Sequence, residues 1–468
     1  MPRQQIYSWR AGQATRRRLP ANAPAPNLTG WQSRFAHESQ AADLLESGGR
    51  SRNDKRLAAV WLSSTGRETR NGTACGGVAS GHARRLLLRT IRSSLTLTTG
   101  QVILAVSAFI FSLLSARLLG LEQRGQLALT LQISYVAGPL LSFGMTSYLL
   151  RRPSDVPLIV SLLRFPVLVG LLLSIGAWAL HAPWTVVAGF FCAIGGVALL
   201  LVRSSLVGRT LPRKASLLQA AVGFLYLAAS LILYFGHVDE VTLWLAPYVL
   251  LSGAAMVAAV VGATKRERIR GLLRRSAPQV PGQLAMIVAL RSDRLLIAAI
   301  VGADALATYV MAAVVLEASL WLVNSYADLM VSLNVGKYSS RAALRSVGKS
   351  LLPIVVLVGL SAVTTEYLVL PFIGPQYAPV TELLLPLSLA TVLLGIAGFS
   401  SRWLLASPKP GLASIPSVVQ GVCALPVYVF AISHWGVLGA AWGSAVVYGS
   451  GTIVALLLLL MKRYDTQG

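Results

Sequence analysis

The sequence predicts an all-α polytopic membrane protein, with about twelve transmembrane helices in two pseudo-symmetric six-helix lobes. Three observations predict it. The 468 residues are 55% hydrophobic and only 12% charged, with mean hydropathy +0.65. A soluble domain carries about 25% charged residues. Apolar stretches follow one another from about residue 95 to residue 461, and each is near the roughly 20 residues a bilayer-crossing helix needs. Positive charge gathers in alternate gaps between them. Of the 41 Lys and Arg, 12 fall in residues 1–83 and 29 after them, and 25 of those 29 lie in the even-numbered gaps or the two flanks. This is the positive-inside bias, and it predicts cytoplasmic termini in a multi-pass protein of the cytoplasmic membrane. The net charge of +24 thus reports topology and excludes a nucleic-acid partner.

The elements follow in order. Residues 1–83 lack sustained periodicity and are expected to form a disordered cytoplasmic tail, with no apolar run placed for a signal peptide. The first lobe, 84–263, holds spans at about 95–116, 127–150, 157–179, 183–202, 215–235 and 241–263. A basic cytoplasmic connector containing KRERIRGLLRR covers 264–280. The second lobe, 281–461, holds spans at about 281–301, 305–328, 350–371, 380–406, 412–432 and 436–461, before a cytoplasmic tail at 462–468. The segments 281–301 and 305–328 are the least apolar. The two halves begin alike. Gly120-Leu121-Glu122 precedes the second span and Gly302-Ala303-Asp304 the eighth, each with a small residue three positions on, Gly125 and Ala307. Glu122 and Asp304 read as helix N-caps. Both halves start inside, so the repeat is parallel, and proteins built this way often hold a substrate site between the halves. Pro139, Pro166, Pro386 and Pro426 fall within spans and permit bending.

No chemistry of a soluble enzyme is visible. Three cysteines and five scattered histidines make no metal site, and no phosphate-binding glycine loop or nucleophile elbow occurs. No cofactor is expected. The outer gaps are only a few residues long, too short for the catalytic loop of a membrane glycan polymerase or ligase.

The charges left inside spans therefore matter. Arg291 and Arg294 share a helix face about halfway through the seventh span, where each charge costs roughly 2.5–3.5 kcal/mol on insertion scales. Paired guanidinium groups suit the oxygens of a diphosphate. The competing reading is a structural ion pair with Asp293 or with an acid on the eighth span. That span carries Glu317, Trp321, Asn324 and Asp328 on one stripe. Glu317 is either a coupling or gating carboxylate or the partner of Arg291 or Arg294. Trp321 reads as packing. Arg117 ends the first span and either lines an outer exit or snorkels to headgroups. Gln101, Gln132, Gln219 and Gln283 are isolated polar residues able to bond a glycan or a neighbouring helix.

Four segments carry a family resemblance. They are Ser115-Ala116-Arg117-Leu118-Leu119-Gly120 with Gly125 and Leu127; Arg291-Ser292-Asp293-Arg294-Leu295-Leu296-Ile297 through Gly302 and Tyr309; Phe372-Ile373-Gly374-Pro375-Gln376-Tyr377; and Gly436-Val437-Leu438-Gly439-Ala440-Ala441-Trp442-Gly443. In order and spacing they resemble the polysaccharide flippases of the multidrug/oligosaccharidyl-lipid/polysaccharide exporter superfamily. Leu121 stands where that family often has proline, and residues 1–83 have no counterpart. The resemblance implies flipping of an undecaprenyl-diphosphate-linked oligosaccharide across the cytoplasmic membrane by alternating access. Arg291, Asp293, Arg294, Glu317, Asn324, Asp328 and Arg117 would line the cavity. The implied partners are the lipid-linked oligosaccharide, membrane lipid, and a glycan polymerase and glycosyltransferases of the same pathway. A multidrug/cation antiporter of the superfamily is the alternative, and it predicts acids rather than arginines in the cavity.

Overall fold

A computed structural model describes residues 76–146, 149, 163–208, 211–261, 273–274, 276–277, 280–334, 339–405, 407 and 409–461, with side chains from residue 96 onward except at 208, 261, 321–322, 324–326, 328–334 and 410. Residues 1–75 of the expected tail, most of the basic connector and the last seven residues lie outside them; residues 76–83, expected to be disordered, are instead helical. The chain divides into two units, Met1–Leu86 and Leu87–Gly468. Only the start of the first helix is described in the former. All other described elements belong to the latter.

The helices are α1 (Gly76–Leu118), α2 (Leu121–Ser142), α3 (Arg164–Ala179), α4 (Trp184–Gly208), α5 (Pro212–Phe235), α6 (Ala246–Val261, after a single turn at Val241–Trp244), α7 (Val280–Ile300), α8 (Ala303–Asn334), α9 (Ser340–Thr364, continued by a π-turn at Thr365–Val369 and a last turn at Leu370–Ile373) and α10 (Val380–Leu405). The final helical stretch, Ile415–Leu460, breaks at Gly436, whose φ of 57° and ψ of −136° are non-helical. Glycine alone takes that conformation without a Cβ penalty. The stretch is therefore two helices, α11 before the break and α12 after it. No strand occurs among the described residues. Seven of the described helical stretches are long and apolar enough to cross a membrane, one of them the α11–α12 stretch, and α3 and α6 are shorter apolar helices.

The chain is an all-α polytopic bundle, and its two halves repeat. α2 packs on α4 as α8 packs on α10, and α3 packs on α4 as α9 packs on α10. The repeat extends to single bonds. On α6 the Ser252 hydroxyl donates to the Tyr248 carbonyl at 2.9 Å and accepts from the Gly195 N–H of α4 at 3.1 Å. On α12 the Thr452 hydroxyl donates to the Tyr448 carbonyl at 2.9 Å and the Leu393 carbonyl of α10 at 2.8 Å. In each half, a tyrosine followed four residues later by a hydroxyl ties the last helix to the fourth. The lobes meet where α2 packs against α7 and α8.

The burial pattern is that of a bundle with an apolar perimeter. Leu168, Leu172, Phe224, Ile232, Val257, Leu352, Leu360 and Val422 are exposed, whereas Ser107, Ser112, Thr130, Gln132, Asp293 and Arg294 are buried. In lipid, polar groups turn inward to find partners. Small residues allow close helix contact. A Cβ on Gly125 would lie 1.9 Å from the Ala303 carbonyl oxygen, so the first turns of α2 and α8 touch backbone to backbone.

Several boundaries differ from the sequence reading. α2 begins at Leu121, not near 127, so Glu122 lies in its first helical turn and Gly120 holds the cap position without a side-chain bond. Asp304 likewise lies in the first turn of α8. Both acids act through the helix dipole. α9 is helical from Ser340, ten residues before the expected span, and exposes Arg341, Arg345 and Lys349 on its first turns. Mixed charge and amphipathic packing extend these helices beyond the purely apolar windows.

Candidate functional site

The inner faces of both lobes enclose a cavity of about 1280 Å³. Its wall runs from Phe111, Arg124 and Tyr248 to Pro281, Gly282 and Gln283 at the start of α7 and to Arg402, Leu405 and Ser414 around the α10–α11 connector. The cavity thus reaches the end of the bundle that carries the α6–α7 and α10–α11 connectors. Among the described residues, no turn at the other end (119–120, 236–240, 301–302, 374–379) lines it. The Gly125–Ala303 contact closes α2 against α8 there.

The polar centre of the cavity is built by α7, α8 and α2. Arg294 is 1% exposed, and its Nη2 donates to Glu317 Oε1. Its Nη1 donates to Gln132 Oε1 at 3.4 Å. Arg291, one turn earlier, donates to the same Gln132 oxygen at 3.3 Å, lies 3.8 Å from Glu317 Oε2, and stacks over the Tyr135 ring at 5.3 Å. Gln132 therefore bridges the lobes through both arginines. The two arginines differ in setting: about a quarter of the Arg291 side chain is open, against 2% for Arg294.

Asp293 faces the other way, into the second lobe. It is 2% exposed. It accepts from the Arg294 backbone N–H at 2.8 Å and from the Tyr309 hydroxyl at 2.7 Å. Tyr309 lies 3.0 Å from the Ser444 hydroxyl, which also meets Tyr428 at 3.2 Å. Hydrogen bonds, with the Arg294 charge beside it, stabilise this buried carboxylate.

The sequence-selected residues thus divide. Arg291, Arg294 and Glu317 come together on the cavity wall, with Asp293 behind Arg294. Arg117 is exposed at the end of α1 and is not part of the described lining. Asn324 and Asp328 lie on the α8 backbone, but their side chains, like that of Trp321, are outside the described residues. Gln132 and Gln283 line the cavity, and Gln283 donates to the Thr146 hydroxyl at 3.2 Å. Sequence reasoning missed Tyr135, Tyr309, Ser444 and above all Arg124, which is 3% exposed and reaches the cavity wall. The signal for Arg124 was its place beside Gly125, four residues past the turn and inside the helix rather than in the loop.

The fold is similar to that of solved transporters. An inward-facing multidrug resistance MATE family transporter of the MOP superfamily matches with TM-score 0.57 and 14% identity, over 78% of this chain and 97% of its own. An outward-facing transporter of the same description matches with TM-score 0.56 and 13% identity, over 80% and 94%. A mutant of the Vibrio cholerae MATE transporter VcmN matches with TM-score 0.53 and 14% identity, over 80% and 96%. No family model matches the chain, and no curated protein matches it. The chain has the fold of the MATE transporters of the MOP superfamily. This agrees with the superfamily that the sequence resembles and does not separate its polysaccharide branch from its multidrug branch.

Proposed function

We propose that this protein moves an undecaprenyl-diphosphate-linked oligosaccharide across the cytoplasmic membrane by alternating access, as a flippase for polysaccharide biosynthesis. One observation carries the reading. Among the described residues lining the cavity, Arg124, Arg291, Arg294 and Arg402 stand against a single acid, Glu317. A positive, largely apolar chamber favours an anionic substrate and repels a cationic drug, because low dielectric strengthens uncompensated charge. Size supports it: about 1280 Å³ exceeds the roughly 300–1,000 Å³ of usual small-molecule pockets. Arg291 is the residue placed to grip the diphosphate, since its guanidinium is partly open and already aligned by Gln132 and Tyr135. Arg294, held by Glu317, fixes the geometry from behind. Glycan rings lie along the cavity while the lipid tail stays in the bilayer. An ion gradient or the membrane potential supplies the energy, and a glycan polymerase and glycosyltransferases act before and after.

The multidrug or cation antiporter reading rests on the solved neighbours and on Glu317 as a carboxylate open to the cavity. Complementation of a flippase-deficient strain separates the two. Arg291→Ala is expected to lower glycan export at least tenfold at unchanged levels of inserted protein, with partial rescue by Arg291→Lys, which lacks the bidentate fork. Full export by Arg291→Ala would remove it from the site.

The basic end of the bundle is assigned to the cytoplasm by charge asymmetry. In a background without other reactive thiols, Lys409→Cys should be labelled only after an impermeant reagent reaches the cytoplasm, and Gln376→Cys from outside. The reverse pattern would invert the topology. Both positions are exposed.

A further inference from the structure

We propose that Arg124, with Ser112, forms a second anion subsite near the closed end of the cavity, which takes a carboxylate on the glycan while the diphosphate sits at Arg291. This rests on the lipid-linked oligosaccharide reading and adds a substrate class to it. Arg124 is 3% exposed and yet lines the cavity. Its Nη2 donates to the Ser112 hydroxyl at 2.7 Å, and its buried Nε has no hydrogen-bond partner. The titratable groups that act on it are Tyr377, Tyr248 and Tyr135. No carboxylate pairs with it among the described residues. In this it differs from Arg294, whose charge Glu317 and Asp293 offset. Tyr377, in the turn before α10, has its phenol raised above the ordinary value by burial, with Arg124 opposing that shift.

A buried guanidinium without a counter-ion is costly, and the cost falls when an anion arrives. The cavity is the open side from which one can come. Eight residues separate Arg124 from Gln132, the residue that touches Arg291 and Arg294. On α2 that is about 12 Å, too far for one diphosphate to bridge and within reach of a charged sugar one or two rings away. The cavity lining also includes an aromatic cluster: the Tyr226 and Tyr248 rings stack at 4.7 Å, and Phe111 meets Tyr248 edge-on at 5.7 Å. Flat apolar surface of this kind receives the faces of sugar rings.

The experiment uses the purified full chain, its Arg124→Gln and Arg124→Lys variants, and Arg291→Gln. Inorganic phosphate is expected to raise the unfolding temperature of the wild type, by less in Arg291→Gln and in Arg124→Gln, each of which keeps one anion subsite, and not in the Arg124→Gln/Arg291→Gln double variant, while Arg124→Lys should respond more than Arg124→Gln. Without phosphate, Arg124→Gln should be at least as stable as the wild type, because an uncompensated charge has been removed. A merely structural arginine predicts a less stable Arg124→Gln whose phosphate response is as large as the wild type's, and that result overturns the subsite. Two short-chain polyprenyl-diphosphate disaccharides, one ending in glucuronate and one in glucose, then name the occupant. The wild type should bind the acidic analogue about tenfold more tightly, the size of one hydrogen bond to a charged group, and Arg124→Gln should bind both equally. Equal binding by the wild type, lost for both in Arg124→Gln, would put the diphosphate at Arg124 and overturn the glycan assignment. An Arg124-dependent phosphate response with neither analogue bound would retain an anion subsite and refute the lipid-linked reading instead.

Discussion

Arg294→Ala is expected to remove most of the folded protein, while Arg291→Ala leaves it in place and stops transport. The two arginines are one helical turn apart, but the structure gives them different work. Arg294 is 1% exposed and stands between Glu317 and the buried Asp293. Removing one partner of a buried ion pair costs about 3–5 kcal/mol, because the other charge is left uncompensated. A domain with a total stability of about 5–15 kcal/mol feels that at once. Arg291 is partly open, and its loss leaves Glu317 still paired with Arg294. The check is the yield of monodisperse protein in detergent. Arg294→Ala should be low, and Asp293→Asn/Arg294→Ala should recover it, since the buried Asp293 charge is gone and Glu317 keeps Arg291 at 3.8 Å. Normal yield of Arg294→Ala alone would mean that water or lipid already compensates these carboxylates.

Gly125→Ala is expected to force the closed end open. The added methyl would sit 1.9 Å from the Ala303 carbonyl oxygen, well inside contact distance, and that oxygen belongs to the backbone at the start of α8. Overpacking of this kind costs about 1–3 kcal/mol where neighbours yield, and more where they cannot. In the second conformation that the alternating-access proposal requires, the two helix tips would part and the clash would disappear. A bias of about 1–3 kcal/mol changes a two-state ratio by about 5–150-fold. Spin labels at the exposed positions Gly120 and Gln376 would report it. Their separation should lengthen in Gly125→Ala, with export lost. An unchanged distance distribution would mean that the α2–α8 contact is not the closure.

The fold was legible because its driving forces are written in composition. Lipid selects long apolar runs, and charge bias orients them. The weakest spans, 281–301 and 305–328, became α7 and α8. They are less apolar because they carry Arg291, Asp293, Arg294 and Glu317, so the dip in hydrophobicity coincides with the candidate site. The ion pairing was foreseen as one of two readings, and the structure places Glu317 against both arginines. Gln132 could not be chosen from the sequence, since its importance comes from α2 meeting α7 across the lobe boundary. Arg124 falls outside the expected span 127–150 because α2 begins six residues earlier than its apolar run. Helix starts rich in polar residues hide in this way.

Reconstitution tests the central claim most directly. The purified full chain is placed in proteoliposomes carrying a labelled undecaprenyl-diphosphate disaccharide, and an impermeant enzyme that cleaves the exposed sugar reports its sidedness. The wild type is expected to make the protected pool accessible, and Arg291→Ala to do so at least tenfold more slowly. Neither should accumulate a lipophilic cation. A protected pool that stays protected, in vesicles where the same protein exchanges a cationic dye for protons, would contradict the flippase reading.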